Sequence, residues 1–555
     1  MTDTSAKHTK PLRFGLLCNS LILEQWQADS LTNLIEGGMQ AVIVVINDNQ
    51  EDPQSISQKI IQYPYKRLFF RIWSRFLFNP ASKKASDVSE LLSNCRQIKC
   101  KTQLKGFSNF FDFQCIETIQ SEKPDFLLRF GFGIIRGEIL KAAPLGVWSF
   151  HHDNEEIIRG GPPGFWEVFH KHHTNGVILQ QLTDSLDKGL ILKKIHFRTI
   201  RHSYKEHLDQ IYFGSSFMPL WVCRAILNDT LEITNTDSKA PILHAPSNSK
   251  MLLFILKMIW RRLTFHLNEL FRQEDWVAGI TKKEDFIENT NFQIQWLKKP
   301  DRNSYTADPF IIDFEGDTLV FFESYSYSID RGHISMAKAS EHFEKYYDVL
   351  KSDLHFSFPS VFVYEKQLFM IPECFESNGI QLYQFDYQKY KMIFKQTLLD
   401  GIAAVDPILF KYGEYWWLFF TEKNQPSTHL YLWFSENMTG PFQPHFNNPV
   451  KSDIFSSRPA GMLFEKEGKL FRPAQDCSEA YGIGIVVSEV TELSTASFQE
   501  KEINRLSPDK NWKLHKGVHT FNQSLRYIAL DAKGFRFFQA GFRNRLLNKL
   551  RLRNR

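Results

Sequence analysis

Residues 146–189, GVWSFHHDNEEIIRGGPPGFWEVFHKHHTNGVILQQLTDSLDKG, hold the side chains best suited to covalent chemistry. A histidine poised by a carboxylate can take a proton from an amine and stabilise developing charge, while a nearby hydroxyl or amide holds a tetrahedral oxyanion. His151 and Asp187 are the candidate pair, and Ser149 is the candidate donor. Transfer of a formyl group to an amine needs these parts and few others. For His151 taken alone, the competing reading is a strand-end histidine satisfied within the fold.

Regular elements must bring these residues together. The apolar run at 126–130, cut by Gly131 and Gly133, predicts a buried strand and a glycine-rich turn. Residues 147–150 predict a second strand, which places His151 at a strand end, where open α/β sheets bind ligands. Arg159-Gly160-Gly161-Pro162-Pro163 predicts a turn, 165–172 a helix and 177–182 a further strand, after which the loop carrying Asp187 can return toward His151. Residues 12–47 read strand, helix, strand, the opening of a parallel α/β sheet, with no GxGxxG to support a dinucleotide. Residues 50–120 read as polar and helix-rich. His170, His172 and His173 have no matching Cys or carboxylate pattern and read as a solvated helix end, so no metal is expected.

These motifs resemble the formyltransferase family, which includes methionyl-tRNA and sugar N-formyltransferases. The resemblance covers about residues 12–230 and is strongest over 125–195. His151 matches the family's histidine, Arg159-Gly160 its Arg-Gly, Leu186-Asp187-Lys188-Gly189 its aspartate loop, and Phe132-Gly133-Ile134-Ile135 its turn beside the folate pterin. The resemblance implies catalysis by His151, Asp187 and Ser149, cofactor binding by Phe132, Gly133, Ile134, Arg159 and Gly160, and N10-formyltetrahydrofolate as donor. Ser149 stands where the family has asparagine. Losing one oxyanion donor costs about 2.7–4 kcal/mol, so the substitution slows such chemistry or marks its replacement.

A chain of 555 residues exceeds one core, so two or three domains are expected. Its 43% hydrophobic and 23% charged residues place it among folded globular proteins. Seven scattered cysteines without CxxC predict reduced thiols rather than a disulfide framework. The first residues lack the apolar core of a secretory signal, and no uncharged run reaches membrane-spanning length, so a cytoplasmic location is expected. A net charge of +5 is too small to indicate nucleic acid. Three basic amphipathic segments, 65–78, 251–271 and 541–555, suit either solvated surface helices or peripheral contact with the inner face of a membrane.

From about residue 275 the pattern changes to short aromatic strands. Ala307-Asp308-Pro309-Phe310, Ser357-Phe358-Pro359-Ser360, Val405-Asp406-Pro407-Ile408 and Arg458-Pro459-Ala460-Gly461 each lead into a strand pair, about fifty residues apart. With His519-Thr520-Phe521 opening a further pair, this spacing predicts five propeller blades. The motifs ADPF, HFSFPSVF, GPFQPHFNNPV, SRPAG, FRPAQDCSEAYG and HTFN, within about residues 276–532, resemble the N-terminal-type domain of plant glucosamine inositolphosphorylceramide transferases. That resemblance implies a five-bladed propeller related in shape to several glycoside hydrolase families.

Asp308, Glu323, Glu373 and Asp406 stand at corresponding loop or strand-end positions. Two carboxyls spaced around a water would suit inverting glycoside hydrolysis, although Asp-Pro pairs also serve as structural corners. Carbohydrate recognition is the other use: Arg458, Arg472, Gln475, Asp476 and His519 offer polar partners, and Trp416, Trp417 and Tyr481 offer stacking faces. Core packing is the alternative for the two tryptophans.

The expected organisation is a disordered tail at 1–11, a Rossmann-like formyltransferase α/β domain at 12–235, a linker and basic helix at 236–274, a five-bladed β-propeller at 275–534 and a basic tail at 535–555. The expected function is formyl transfer to an amino sugar, nucleotide- or lipid-linked, in envelope polysaccharide or glycolipid synthesis, with the propeller holding the glycan. The alternatives are a glycosyltransferase or glycan-binding protein on a repurposed scaffold, and a propeller glycoside hydrolase.

Overall fold

A computed structural model describes residues 10–49, 65–184, 189–235, 238–283 and 293–537. The chain divides into two compact units, residues 1–262 and 263–555, and the division falls within the helix Asn248–Phe271. Of the expected tails, residues 1–9 and 538–555 lie outside the described residues.

The first unit is built on an eight-stranded sheet. Its order is Thr234–Asn235, Leu190–Arg198, Thr174–Gln181, Val147–His151, Phe126–Arg129, Arg13–Cys18, Gln40–Asn47, Arg96–Cys100. Successive residues of these apolar strands point to opposite faces. Leu16, Val44 and Leu128 enter one core with Trp26, Leu31, Leu208 and Trp221, whereas Leu17, Val45 and Leu127 enter another with Ile116, Ile119 and Ile139. The five strands from Val147–His151 to Arg96–Cys100 pair in parallel, but the other three join antiparallel. The sheet is therefore mixed, which departs from the expected Rossmann-like domain. The cause is local: the link from Gln181 to Leu190 is too short for the crossover that a parallel pair requires. Of the seven cysteines, Cys100 and Cys115 lie side by side, with their Cα atoms 6.3 Å apart.

The second unit is all-β. Three four-stranded antiparallel sheets follow one another within residues 304–350, 357–400 and 464–506. Another, within 404–444, also takes up the short strand Lys451–Ser452. The fifth is made from both ends of the unit. Its strand Arg272–Lys282 runs antiparallel to the last strand, Tyr527–Phe537, in unbroken register from Arg272 opposite Phe537 to Lys282 opposite Tyr527. Gln295–Trp296 and Phe521–Gln523 complete it. Hydrogen bonds between first and last strands thus close a ring of five sheets, an arrangement that removes the long exposed edges of an open sheet.

Candidate functional site

Three of the sheets begin with the same irregularity. The pairing of the first two strands slips between Ala307 and Phe310, Ser357 and Ser360, and Val405 and Ile408. Each slip contains a proline preceded by a residue at positive φ: Asp308 (+50°), Phe358 (+43°) and Asp406 (+50°). Proline cannot donate to the ladder, so it resides in a bulge, and a bulge re-aims the neighbouring side chain. The freed N–H groups at these bulges need acceptors, and acids supply them. Phe358 N donates to Asp308 Oδ2 (3.1 Å), Asp406 N to Glu373 Oε2 (2.9 Å) and Asp308 N to Asp531 Oδ2 (3.2 Å). A carboxylate of one blade therefore clasps the bulge of the next.

Around Asp308 the charges are paired internally. His519 Nε2 lies 3.1 Å from Asp308 Oδ1, and His519 Nδ1 lies 2.6 Å from Asp531 Oδ2. Thr520 Oγ1 donates to Asp308 Oδ1 at 3.0 Å, and Asp531 accepts the backbone N–H groups of His519 and Thr520. Burial acts most strongly on His519 and opposes its charge, but the Asp531 and Asp308 carboxylates outweigh it and hold its pKa up to about 10. Asp308, His519 and Asp531 are also the group of described residues close enough to ligate a metal. The protonated imidazolium already supplies positive charge between the two acids, and a protonated ring nitrogen has no lone pair for a metal. Trp276 stacks on His519 at 3.9 Å, with the Tyr481 ring edge-on at 5.3 Å.

A second ionic cluster lies around Asp406. Its Oδ2 accepts from Arg458 Nε (2.6 Å) and Gln475 Nε2 (2.7 Å), and the Arg458 guanidinium sits 4.6 Å over the Tyr481 ring. Tyr481 thus borders both clusters. Burial, reinforced by the Asp406 charge, pushes the Glu373 pKa well above the usual carboxylate range.

Glu323, unlike Asp308 and Glu373, clasps no bulge. It is 4% exposed, and its Oε1 has no hydrogen-bond partner. Burial, with the Asp308 charge second, pushes its pKa well above the usual range, which favours its protonated form. His355 Nε2 stands 3.5 Å from this oxygen. The Tyr305 and Tyr325 rings, stacked at 4.6 Å, come from the same strand pair as Glu323, and Tyr325, two residues along its strand, shares its face. A buried acid with a raised pKa, set beside other acids and aromatic faces, is the combination that general-acid chemistry and sugar recognition both use.

The structure brings Asp308, Glu323, Glu373, Asp406, Arg458, Gln475, Tyr481 and His519 into this connected network. It separates Arg472 and Asp476 from it. Arg472 is fully buried and makes a two-pronged pair with Glu500 (2.7 and 2.6 Å), and Asp476 Oδ2 accepts from Arg505 at 2.6 Å. Trp416 and Trp417 are buried against Phe362 and Phe434 and offer no free stacking face. Sequence reasoning missed Asp531, Thr520, Trp276, Tyr305 and His355. Only Asp531 left a signal, a single acid within the apolar strand sequence YIALDA.

The candidates in the first unit are engaged differently from the expectation. Ser149 is buried, and its Oγ accepts from Arg129 Nε (3.2 Å) and Nη2 (2.7 Å). At the turn expected beside a pterin, Phe132 N donates to Asn19 Oδ1 (3.1 Å), Phe132 O accepts from Asn109 Nδ2 (2.7 Å) and Gly133 O accepts from Arg129 Nη1. Phe132 itself is core, packed on Phe111, whereas Ile134 is exposed. Arg159 and Gly160 pair with Ile242 and Leu243, and Arg159 Nε donates to Ala240 O. At Gly160, φ is +105° and a Cβ would collide with Leu243 O, so close backbone approach accounts for the glycine. His151 ends its strand as expected and lies 3.9 Å from Asp153. Asp187 lies outside the described residues.

Five antiparallel sheets of four or five strands around a buried ionic hub define a propeller-like domain. Residues 296–537 match the family model of glucosamine inositolphosphorylceramide transferase 1, N-terminal. The chain is 31% identical over 241 residues to glucosamine inositolphosphorylceramide transferase 1 of Oryza sativa subsp. japonica, covering 42% of this chain and 32% of that protein. It is 33% identical over 218 residues to the Arabidopsis thaliana protein of that name, covering 36% and 27%. The chain thus spans about a third of the length of these relatives. Similar solved structures include a family 117 glycoside hydrolase from Zobellia galactanivorans (12% identity, TM-score 0.33, 48% of this chain and 91% of that one). Another is the catalytic domain of a GH62 α-L-arabinofuranosidase from Coprinopsis cinerea (12% identity, TM-score 0.33, 42% and 93%).

These findings correct the reading of residues 12–235 as a folate-dependent formyltransferase. The family match begins at residue 296, and the relatives are glucosamine inositolphosphorylceramide transferases. In the first unit, Ser149 and the 132–133 turn spend their polar groups on Arg129, Asn19 and Asn109.

Proposed function

We propose that the propeller half is a carbohydrate-recognition domain in a protein that builds glycoconjugates, with a glycan, free or lipid-linked, bound at the hub. The similarity of residues 296–537 to part of a glycosphingolipid-directed transferase supports this reading. The observation that carries it is Glu323, a buried acid whose Oε1 makes no hydrogen bond within the fold and stands 3.5 Å from His355 Nε2, near Asp308 and the Tyr305–Tyr325 stack. Sugar recognition uses such parts: aromatic faces take the apolar side of a pyranose, and acids take its hydroxyls. The test is calorimetry or saturation-transfer NMR with a panel of mono- and oligosaccharides. A hub-binding glycan should lose affinity on the order of tenfold or more in Glu323→Leu, because that change removes both oxygens and with them every hydrogen bond the carboxyl could offer a sugar hydroxyl. Equal binding by the wild type and the variant would refute the assignment.

A second reading, glycoside hydrolysis, is favoured by the raised pKa of Glu323, which suits a general acid. It predicts that Glu323→Gln abolishes turnover of an aryl glycoside while leaving binding in place.

A further inference from the structure

Two segments of the first unit share an unusual composition. Residues 65–78, YKRLFFRIWSRFLF, and residues 248–262, NSKMLLFILKMIWRR, hold eight lysines and arginines between them and no aspartate or glutamate. They lie side by side: Phe69 N donates to Asn248 Oδ1 (3.0 Å), Asn248 Nδ2 donates to Tyr65 O (2.8 Å), and Trp73 packs edge-on against Phe254 at 6.1 Å.

Each segment is apolar on two faces. One face is spent on the core through Phe70, Trp73, Met251 and Phe254. The other is left outside, where Phe76 (74% exposed), Leu77 (75%) and Trp260 (66%) are joined by Ile72, Leu256 and Ile259. Leu252, Leu256, Ile259 and Trp260 fall at helical spacing, so they form one stripe. Exposed apolar residues scattered singly need no explanation, but a stripe of them along one helix face marks an interaction surface. No described helix is long and apolar enough to cross a membrane.

We infer that this face docks the chain on the surface of an anionic lipid bilayer, with the apolar stripe in the headgroup–acyl boundary and the basic side chains on the lipid phosphates. Charge selects this occupant. Arg261 donates to Val168 O and Lys257 lies over the Phe169 ring, but Lys66, Arg75 and Arg262 are exposed with no acid in either segment, and an anionic leaflet attracts such cations while accepting Trp and Leu at its boundary. This surface does not depend on the hub reading, since every residue in it belongs to the first unit.

The test is co-sedimentation of the full chain with phosphatidylcholine vesicles, with and without phosphatidylserine. Wild-type protein should pellet with the anionic vesicles. Ile259→Glu/Trp260→Glu should lower the partition coefficient on the order of a hundredfold, and Lys66→Glu/Arg75→Glu on the order of tenfold or more, with the loss in the second pair vanishing at high salt. Brominated lipid should quench the tryptophan fluorescence of wild type more than that of Trp260→Leu. Failure of wild type to pellet, or pelleting unchanged in both double variants, would overturn the inference. So would a concentration-dependent dimer, detected by light scattering without lipid, that Ile259→Glu/Trp260→Glu dissolves.

Discussion

At the residue scale, the hub is a set of buried charges whose protonation depends on folding. His519 carries a folded pKa of about 10 against an ordinary 6.5, so the stability it contributes is fully present below about pH 6.5 and is lost as pH rises through 10. Glu323 has the same sign, since its pKa is also raised: folding favours its proton, and stability falls as pH climbs above the ordinary carboxylate value. Glu323→Gln should therefore unfold like wild type at pH 4 and at a higher temperature than wild type at pH 8, as scanning calorimetry would record. His519→Gln removes the cation between Asp308 and Asp531 and leaves two buried carboxylates facing each other. That change should cost about 3–5 kcal/mol in urea unfolding at neutral pH. A loss below 1 kcal/mol would mean that the ring is not protonated.

At the element scale, the proline-containing bulges couple three successive pairs of blades, and the fourth blade adds a buried strut of its own. Burial opposes the charge on Glu500 most strongly, but Arg472 and Lys451 outweigh it and bring its pKa down to about 2. The stability it contributes is present above its ordinary 4.5 and is lost as pH falls through 2. Glu500→Gln should cost about 3–5 kcal/mol at pH 7, because Arg472 is fully buried and would lose its two-pronged partner. The difference from wild type should shrink when unfolding is repeated near pH 2.

How far these elements could be read from sequence depended on distance along the chain. Asp308-Pro309 and Asp406-Pro407 carry their own turn signature, so the repeat, its fifty-residue period and the four hub acids were legible. Which acids clasp a bulge was not, because Asp308 and Asp531 are over two hundred residues apart and meet only when the ring closes. Arg472 and Asp476 lie in the same motif as Gln475 and read alike, yet residues along a strand alternate in direction, and their partners Glu500 and Arg505 belong to another strand. In the first unit the strand ending at His151 was legible from its apolar run, whereas the partner of Ser149, Arg129, lies on a neighbouring strand and left no mark in the motif.

At the scale of the whole molecule, each unit has its own buried core, and the all-β unit depends on its first and last strands finding each other. Deleting residues 527–537 should leave the strand Arg272–Lys282 without its ladder and remove Asp531 from the hub. The truncated chain should lose cooperative unfolding of the second unit and should aggregate, whereas the α/β unit should keep its far-ultraviolet helix signal. Intact unfolding of the all-β unit after that deletion would show that ring closure is dispensable.

The same pairing bears on how the protein is made. The strand Arg272–Lys282 leaves the ribosome long before its partner, with roughly 250 residues still to be translated, which takes on the order of 10–50 s at typical elongation rates. For that interval the nascent chain presents an apolar strand edge with nothing to pair with, the kind of surface that chaperones hold and that crowding turns into aggregates. Synthesis from a strongly driven promoter should therefore yield inclusion bodies rich in this unit. Slowing initiation, so that fewer incomplete chains coexist, should raise the soluble fraction more than lowering the temperature after synthesis does.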